Sequence, residues 1–415
     1  MHTPYEYQSE CLTAVGQVLQ AKAPHALIDM ATGLGKTVVM ALIARLWQSD
    51  QSRNRRVLFL CDSNFILYRS EETFREEFGD EITTAFITGD IRSENFRIAD
   101  VVFANFQSMI EWREMFSPDH FGMVFVDECH HTPADTYYPT VEYFPPEFLV
   151  GASATFDGRY DGRDVTEIFG KPVYSLQLEE AMARGLLAQL DYRLVTLHID
   201  QAAIKQLEQE HGRLSKKELE RRLFIPKRDE EVVKLILETE REVPDPHTMV
   251  FKNSIVACNA FAQVLPDSVS LNRSFSPHEL TVGFEMFRSR IVSRVVSVNM
   301  LIEGVDIPTA NVGVYDRITQ SKRIWYHSLG RLLRPATPKV IALDCVGNYK
   351  RIVMVMNFQQ RIKEKRLELG LEQEGAEQAY EPMTLNTDSV EFKTTFVSVK
   401  RLFEQLRKKV VSETP

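Results

Sequence analysis

The sequence predicts an α/β protein with two parallel β-sheets in series, each covered by helices. The chain has 415 residues, which is too long for one hydrophobic core and indicates two or more domains. Short apolar runs alternate along the chain with stretches of helical periodicity. These runs are hydrophobic at nearly every position, as is typical of strands buried on both faces of a parallel sheet.

Four apolar runs predict the strands of the first sheet. They lie at residues 25–30 (HALIDM), 56–62 (RVLFLCD), 122–127 (GMVFVD) and 148–154 (FLVGASA). Between the first two runs, residues 37–48 (TVVMALIARLWQ) have apolar side chains at helical spacing. We therefore expect a strand–loop–helix unit around the glycines that precede this helix.

Six later runs predict a second sheet. They lie at residues 193–199, 248–253, 268–272, 293–299, 311–316 and 339–345. A charged stretch of helical pattern at 201–245 separates the first of these runs from the others. We place the first domain at 1–185 and the second at 186–356. A polar, helical C-terminal extension is expected at 357–415, where protein partners could dock.

Composition and cysteine usage are those of an ordinary globular protein, with 44% hydrophobic and 26% charged residues. No apolar run approaches the length of a membrane span, and the N-terminus lacks the layout of a signal peptide. The five cysteines are scattered and form no CxxC pair, so we expect reduced thiols in a cytoplasmic protein. Cys129, His130 and His131 could be considered for zinc, but adjacent residues rarely fit one tetrahedral ion.

Net charge argues against a general polyanion-binding protein, because it is −9 with an estimated pI of 5.7. Nucleic acid would therefore need a local basic patch. Residues 313–366 hold twelve Lys or Arg against three acidic residues. A second basic cluster at 213–228 could equally be a solvated helix face.

Residues 28–37 read IDMATGLGKT and predict a phosphate-binding loop. Backbone N–H groups near the two glycines, at a helix N-terminus, offer an anion nest. Lys36 can reach the β- and γ-phosphates, and the Thr37 hydroxyl can bind Mg²⁺. The strict GxxxxGK[ST] pattern fails at Met30. The residues expected to hold the phosphates are Thr32, Gly33, Leu34, Gly35, Lys36 and Thr37.

The stretch VFVDECHH supplies an acidic pair at the end of an apolar strand. Asp127 can hold the magnesium ion that bridges the phosphates, and Glu128 can polarise the attacking water. A strand-ending acidic pair also occurs in α/β proteins of other functions. Together with the loop, it predicts ATP and Mg²⁺ as cofactors.

These motifs resemble superfamily 2 helicases of the DEAD/DEAH-box kind over roughly residues 3–350. In that superfamily the first loop glycine is often absent, and the resemblance gives Gln8 an adenine-reading role. FANFQSM resembles motif Ib, in which Gln107 would contact nucleic acid. GASATF resembles motif III, in which three residues would couple hydrolysis to strand movement: Ser153, Ala154 and Thr155.

Two further motifs lie in the second half of the chain. SVNMLIEGVDIP resembles motif V and implies that Gly304 and Asp306 lie near ATP. YHSLGRLLRP resembles motif VI, and we expect Arg331 and Arg334 on one face of a helix as arginine fingers. His327 stands where many relatives have Gln, which puts the detail of γ-phosphate sensing in doubt.

The resemblance implies two tandem RecA-like domains with the ATP site in the cleft between them. It also implies an ATP-dependent DNA helicase or translocase. The box reads Asp-Glu-Cys-His, and RNA helicases of the DEAD-box kind typically have Asp where this chain has His130. The later motifs resemble the helicase core of type I and type III restriction subunits, so DNA is favoured over RNA.

Four alternatives remain at this point. The protein could be an RNA helicase, or the motor subunit of a restriction or defence complex that does not itself unwind nucleic acid. It could also be a P-loop kinase or switch-type ATPase without nucleic acid, although the paired arginines and motif V disfavour this class. The last alternative is an inactive scaffold that only binds nucleic acid.

Overall fold

A computed structural model gives the structure of the chain and confirms the α/β class. The residues it describes are 3–89, 91–154, 164–195, 229–298, 310–317, 321–335, 337–345, 349–371 and 380–387. They form two compact units, the first within residues 3–178 and the second from residue 179 onward. No helix in this part of the chain is long and apolar enough to cross a membrane.

The first unit is built on a sheet of seven parallel strands. They are β1 (His25–Met30), β2 (Val57–Cys61), β3 (Thr84–Ile87), β4 (Val101–Asn105), β5 (Met123–Asp127), β6 (Phe148–Ser153) and β7 (Pro172–Leu176). From edge to edge the order is β3-β4-β2-β5-β6-β1-β7. The four predicted strands are present as β1, β2, β5 and β6, whereas β3, β4 and β7 were not predicted.

Six helices accompany this sheet among the described residues. They are α1 (Glu6–Gln20), α2 (Lys36–Gln48), α3 (Asn64–Phe78), α4 (Phe106–Trp112), α5 (Tyr138–Tyr143) and α6 (Thr166–Phe169). A cluster of phenylalanines holds α3 on the sheet: the ring of Phe74 lies 5.8 Å from that of Phe59 and 5.3 Å from that of Phe103. Such edge-to-face pairs contribute beyond their buried area.

The second unit also has seven parallel strands. They are β8 (Gln189–Leu194), β9 (Thr248–Lys252), β10 (Ser268–Leu271), β11 (Arg294–Ser297), β12 (Val312–Asp316), β13 (Lys339–Asp344) and β14 (Met383–Thr387). Their order is β10-β11-β9-β12-β13-β8-β14. The predicted run at 193–199 overlaps β8 only at its start, and 196–199 lies outside the described residues.

The helices that the structure describes in the second unit connect these strands. They are α7 (Leu178–Ala183), α8 (Asp229–Glu240), α9 (Ile255–Val264), α10 (Pro277–Arg288), α11 (Lys322–Leu332) and α12 (Tyr349–Glu368). α12 lies between β13 and β14 in the chain and forms the crossover that a parallel pairing needs.

In the described part of the C-terminal extension, residues 357–371 and 380–387, one segment is a strand rather than a helix, contrary to our expectation. α12 covers its first residues, but Met383–Thr387 forms β14, which pairs in parallel with β8. A five-residue segment carries too little periodicity to reveal a strand, and this one depends on the free edge of β8. The domain limits proposed from the sequence stay predictions.

Candidate ATP and nucleic-acid site

The loop between β1 and α2 has the backbone of an anion-binding turn. Gly33 and Gly35 have φ angles of 96° and 76°, in the region that favours glycine. Gly35 is the N-cap of α2, and a Cβ atom there would lie 2.7 Å from Nε2 of Gln8. The loop therefore needs glycine for its conformation and for space, and its N–H groups lie at the positive end of a 13-residue helix.

Met30 is compatible with this loop because it belongs to the strand. It is the last residue of β1, and its side chain is fully buried. Its carbonyl oxygen accepts a hydrogen bond of 3.2 Å from Nζ of Lys36. The residue at the usual glycine position thus contributes backbone to the site and holds the lysine that is expected to bind phosphate.

Gln8 fastens the loop to the start of α1. Its Nε2 donates to the carbonyl of Leu34 at 3.2 Å, and its Oε1 accepts from the N–H of Tyr5 at 2.9 Å. The side chain is buried. An adenine-reading role for Gln8 stays a prediction, whereas its contact with the loop was not expected from the sequence.

The acidic pair lies at the same edge of the sheet as the loop. β6 separates β5 from β1, and parallel strands end on one side, so Asp127 and the loop flank the end of β6. Asp127 is buried and its Oδ1 accepts from the N–H of Glu128 at 2.9 Å. Glu128 has φ 49° and ψ 46°, a left-handed conformation that is uncommon for non-glycine residues and concentrates at functional sites.

His130 and Ser153 connect this pair to the end of β6. Nδ1 of His130 lies 2.9 Å from Oγ of Ser153 and 3.3 Å from Oε2 of Glu128. Ser153 Oγ donates to the same Glu128 oxygen at 3.4 Å. The three side chains form one connected cluster, which includes a predicted coupling residue. Ala154 follows and is buried, and Thr155 lies outside the described residues.

Two buried thiols report the electrostatics of this edge. Burial raises the pKa of Cys129 well above its usual value, and the charges of Glu128 and Asp127 raise it further while Lys36 lowers it. Burial and the charge of Asp127 likewise raise the pKa of Cys61. The sheet edge is thus negatively charged beside Lys36, as a site for a divalent cation requires.

The residues present fit a nucleoside triphosphate with a magnesium ion. Gly33 and Gly35 have positive φ values, and a Cβ atom at Gly35 would collide with Nε2 of Gln8. Oγ1 of Thr32 is buried and has no hydrogen-bond partner among the described residues. Thr37 and Asp127 offer the oxygen atoms that Mg²⁺ prefers.

Gln107 lies on the surface beside a second group of strand-end residues. It is exposed at the start of α4, and its Nε2 lies 3.5 Å from the hydroxyl of Tyr137. Tyr137 stacks on Phe106 with 4.5 Å between ring centroids. Burial and the carboxylate of Asp62 raise the pKa of Tyr137 to about 12. Sequence patterns gave no signal for Asp62 or Tyr137.

The two arginines do not share a helical face, so that prediction was wrong. α11 ends at Leu332, and only Arg331 belongs to it. Leu333 has ψ 86°, outside the helical region, and Pro335 disfavours helix at the residue before it. Arg331 is buried and Arg334 half-buried. Their finger role stays a prediction, and the motif V residues Gly304 and Asp306 lie outside the described residues.

The basic stretch 313–366 is less available than its composition indicates. Arg331, Arg351 and Arg366 are buried. Arg351 lies 3.9 Å from Asp344, and Arg366 donates to the carbonyl of Ala183 at 3.0 Å. Any phosphate contact would thus fall to exposed residues of the stretch, which include Lys322, Lys339 and Lys350.

Comparison with known proteins finds a family match for the first part of the chain and more distant relatives along most of it. Residues 1–158 match the family described as type III restriction enzyme, res subunit. The type I restriction enzyme EcoAI endonuclease subunit of Escherichia coli is 24% identical over 362 residues, which cover 79% of this chain and 44% of that protein. The candidate ATP-dependent helicase IRC3 of Saccharomyces cerevisiae is 22% identical, covering 79% of this chain and 49% of that protein.

The fold comparison covers nearly the whole chain. Dbp5 of S. cerevisiae, solved with RNA and ADP BeF3, superposes with a TM-score of 0.63 over 96% of this chain and 94% of its own, at 16% identity. The two sheets thus match tandem RecA-like helicase folds, and the matched family indicates an ATPase. The chain spans about half the length of the two sequence relatives. Residues 1–158 thus resemble the restriction-enzyme res-subunit family, and most of the chain is homologous to a type I restriction-enzyme subunit and to ATP-dependent helicases, which supports a superfamily 2 helicase core.

Proposed function

We propose that the protein is an ATP-dependent motor that moves along or remodels DNA. One observation carries this proposal: the phosphate-type loop and the pair Asp127–Glu128 lie at one edge of one sheet, on either side of β6. His130 and Ser153 join the acidic pair to the end of β6. In a motor, binding and hydrolysis of the nucleotide must change the contacts with the nucleic acid. The cluster of Glu128, His130 and Ser153 would transmit that change from the acidic pair to the end of β6.

The residues of the loop and of the acidic pair each have a role in this proposal. Backbone N–H groups of Gly33 and Gly35 bind phosphate oxygens, and Lys36 leaves the Met30 carbonyl to bind the outer phosphates. Thr37 and Asp127 would hold the magnesium ion, which neutralises phosphate charge when bound. Glu128 orients and polarises the attacking water.

The second unit would supply positive charge to the same reaction. Arg331 and Arg334 would act on the γ-phosphate as arginine fingers, a contribution on the order of 10³–10⁵ in rate. Gly304 and Asp306 would approach the nucleotide from motif V. Binding of ATP then draws the two units together and hydrolysis releases them, which gives stepping along a nucleic acid gripped mainly by its phosphates.

DNA is the preferred track in this proposal, and RNA is the second candidate. His130 differs from the Asp that is typical of DEAD-box RNA helicases, and a restriction endonuclease subunit is among the relatives. The RNA-bound neighbour shares the fold at 16% identity and supports RNA only at that level. As in restriction enzymes, the chain could act as the motor within a larger complex, with residues 357–415 docking partners. A cytoplasmic location suits its five free, buried cysteines.

An ATPase assay at fixed salt tests the proposal. Turnover would be compared with single-stranded DNA, duplex DNA, forked DNA and RNA, for the wild type and Lys36→Ala. We expect DNA to raise turnover several-fold and Lys36→Ala to abolish it. Stimulation by RNA alone would transfer the function to the RNA candidate. No stimulation by either polymer, or full turnover in Lys36→Ala, would refute the motor.

A further inference from the structure

A buried carboxylate precedes the phosphate loop, at a strand position where an apolar residue would be ordinary. Asp29 is buried in β1, one residue before Met30. It accepts a hydrogen bond of 2.7 Å from Oγ of Ser175 and another from Nε2 of Gln177. A buried carboxylate is tolerated when donors compensate its lost hydration. Asp29 therefore binds the strand that carries the loop to the end of β7.

The backbone reinforces the same junction. The N–H of Ala31, the first residue of the loop, donates to the carbonyl of Leu176 at 3.0 Å. Side-chain and backbone hydrogen bonds thus fix residues 175–177 to both sides of Met30. Two residues further on, between Leu178 and Glu179, the chain passes from the first unit to the second.

On the far side of this passage, Glu179 is fixed to the helix that carries Arg331. Glu179 is buried, and its Oε1 accepts from the hydroxyl of Tyr326 at 2.5 Å and from Arg361 at 3.3 Å. Tyr326 lies in α11, five residues before Arg331. Burial and the charge of Glu179 raise the pKa of Tyr326 well above its usual value, so its hydroxyl stays a donor.

We propose that residues 175–179 form a coupling strap that transmits the nucleotide state of the loop to α11 and so positions Arg331. Asp29 and Gln177 hold the strap at the loop strand, and Glu179 and Tyr326 hold it at α11. These are positioning residues, and none is required to touch the nucleotide. The inference rests on the proposed function, because it explains how a change in one unit of that motor is transmitted to the other.

The coupling strap can transmit movement because it is short. Only Leu178 separates the residue held by Asp29 from the residue held by Tyr326, and Leu178 is itself buried. A segment fixed at both ends over so few residues has little slack, so a shift of β1 or of the loop must move Glu179. Chains of packed and hydrogen-bonded groups of this kind carry coupling between sites.

Two variants of the full-length chain test the strap, one at each end. Gln177→Ala removes a donor to Asp29 from a half-buried position, and Tyr326→Phe removes only the hydroxyl that binds Glu179. Tyr174→Phe is the matched control, because Tyr174 directly precedes the strap in β7 and its hydroxyl donates to Glu10 of α1 at 3.1 Å. ATP affinity and turnover would be measured for all three, with thermal unfolding to show that each folds.

We expect both strap variants to lower kcat on the order of tenfold while the Kd for ATP stays within about twofold. Hydrogen exchange with a non-hydrolysable ATP analogue gives a second readout. In the wild type the analogue should slow exchange in Lys36–Gln48 and also alter Lys322–Leu332. In Gln177→Ala the first effect should persist and the second should shrink. Tyr174→Phe should behave as the wild type.

The outcomes separate the two ideas. An undiminished response of Lys322–Leu332 in Gln177→Ala, or wild-type kcat in both variants, would overturn the strap and leave the ATP motor standing. Equal losses in Kd and kcat would show a merely structural role and also overturn it. If the analogue leaves hydrogen exchange in Lys36–Gln48 of the wild type unchanged, both the proposed function and the strap are refuted.

Discussion

Nδ1 of His130 lies 2.9 Å from Oγ of Ser153, although the two residues lie at the ends of different strands of the first sheet. Both side chains are buried, and Glu128 contacts both. The residue expected to polarise water is therefore held by the residue expected to couple hydrolysis to movement. Residues of two sequence motifs, VFVDECHH and GASATF, therefore form one hydrogen-bonded cluster.

Ser153→Ala should uncouple hydrolysis from nucleic acid. The change removes the hydroxyl that contacts both His130 and Glu128, and loss of one buried hydrogen bond lowers the free energy of unfolding by about 1–2 kcal/mol. We expect DNA-stimulated turnover to fall several-fold while ATP affinity is kept, measured by ATPase titration with DNA. Ser70→Ala is the control, because Oγ of Ser70 is buried and has no hydrogen-bond partner among the described residues. Unchanged stimulation in Ser153→Ala would contradict the coupling role.

Gly35→Ala should weaken ATP binding more than tenfold and destabilise the first unit. A methyl group at Gly35 would meet Nε2 of Gln8 at 2.7 Å, and the φ of 76° is strained for alanine by about 1–2 kcal/mol. Equilibrium titration and chemical unfolding measure the two effects. Gly16→Ala is the control: it lies within α1 with nothing near the added methyl group, and should stabilise by about 0.5–1 kcal/mol. ATP binding by Gly35→Ala at wild-type strength would refute the loop assignment.

Arg334→Ala should reduce turnover far more than ATP affinity. A finger that acts on the transition state changes kcat with little effect on Kd, and a loss of 10²-fold or more in kcat is expected. Single-turnover hydrolysis and fluorescent nucleotide titration separate the two quantities. Arg288→Ala is the control, since Arg288 pairs with Glu285 on α10. Parallel losses of affinity and turnover would argue that Arg334 binds nucleotide in the ground state.

Affinity for DNA should fall steeply with salt, and Lys322→Ala should reduce that dependence. If Lys322 contacts one phosphate, the slope of log K against log salt should fall by about 1 for duplex DNA. Binding titrations over a range of salt concentrations measure the slope. Lys234→Ala serves as control, because Lys234 is exposed and lies near Glu238 on α8. An identical slope in Lys322→Ala and the wild type would remove Lys322 from the DNA surface.

Stability of the first unit should fall as the pH drops below about 6.5 because of His120. Burial lowers the pKa of His120 below its ordinary value of 6.5, and the positive charge of Arg56 lowers it further. The unfolded chain then binds more protons than the folded chain between the two pKa values, so acidification favours unfolding. His120→Gln should flatten this part of the curve in denaturant unfolding from pH 7.5 to 5.5. A curve that His120→Gln leaves unchanged would contradict the assignment.

The sequence predicted the buried strands better than the half-buried ones. β1, β2 and β5 are mostly apolar, and their burial on both faces leaves a strong signal. β3 and β7 have mixed burial over four and five residues, so their patterns are short and weak. Pairing with a distant neighbour stabilises such strands, and that partner cannot be seen in the local sequence.

Some features of the candidate site could be predicted from the sequence and others could not. The loop and Asp127 were predictable because strand ends in a parallel sheet meet at one edge. The tie from Gln8 to Leu34, the contact of His130 with Ser153 and the bond from Gln177 to Asp29 depend on strand order and rotamers, which spacing does not reveal. The prediction that Arg334 lies on the helix was wrong because Pro335 disfavours helical backbone at the residue before it.

The edge position of β14 has a practical consequence for anyone who trims this protein. β8 hydrogen-bonds to β13 on one side and to β14 on the other, so β14 shields an otherwise open strand. A fragment that stops after the last helicase motif would lack β14 and expose the backbone of β8, which is a template for aggregation. Expression boundaries should therefore lie beyond Thr387, although every recognisable motif ends well before it.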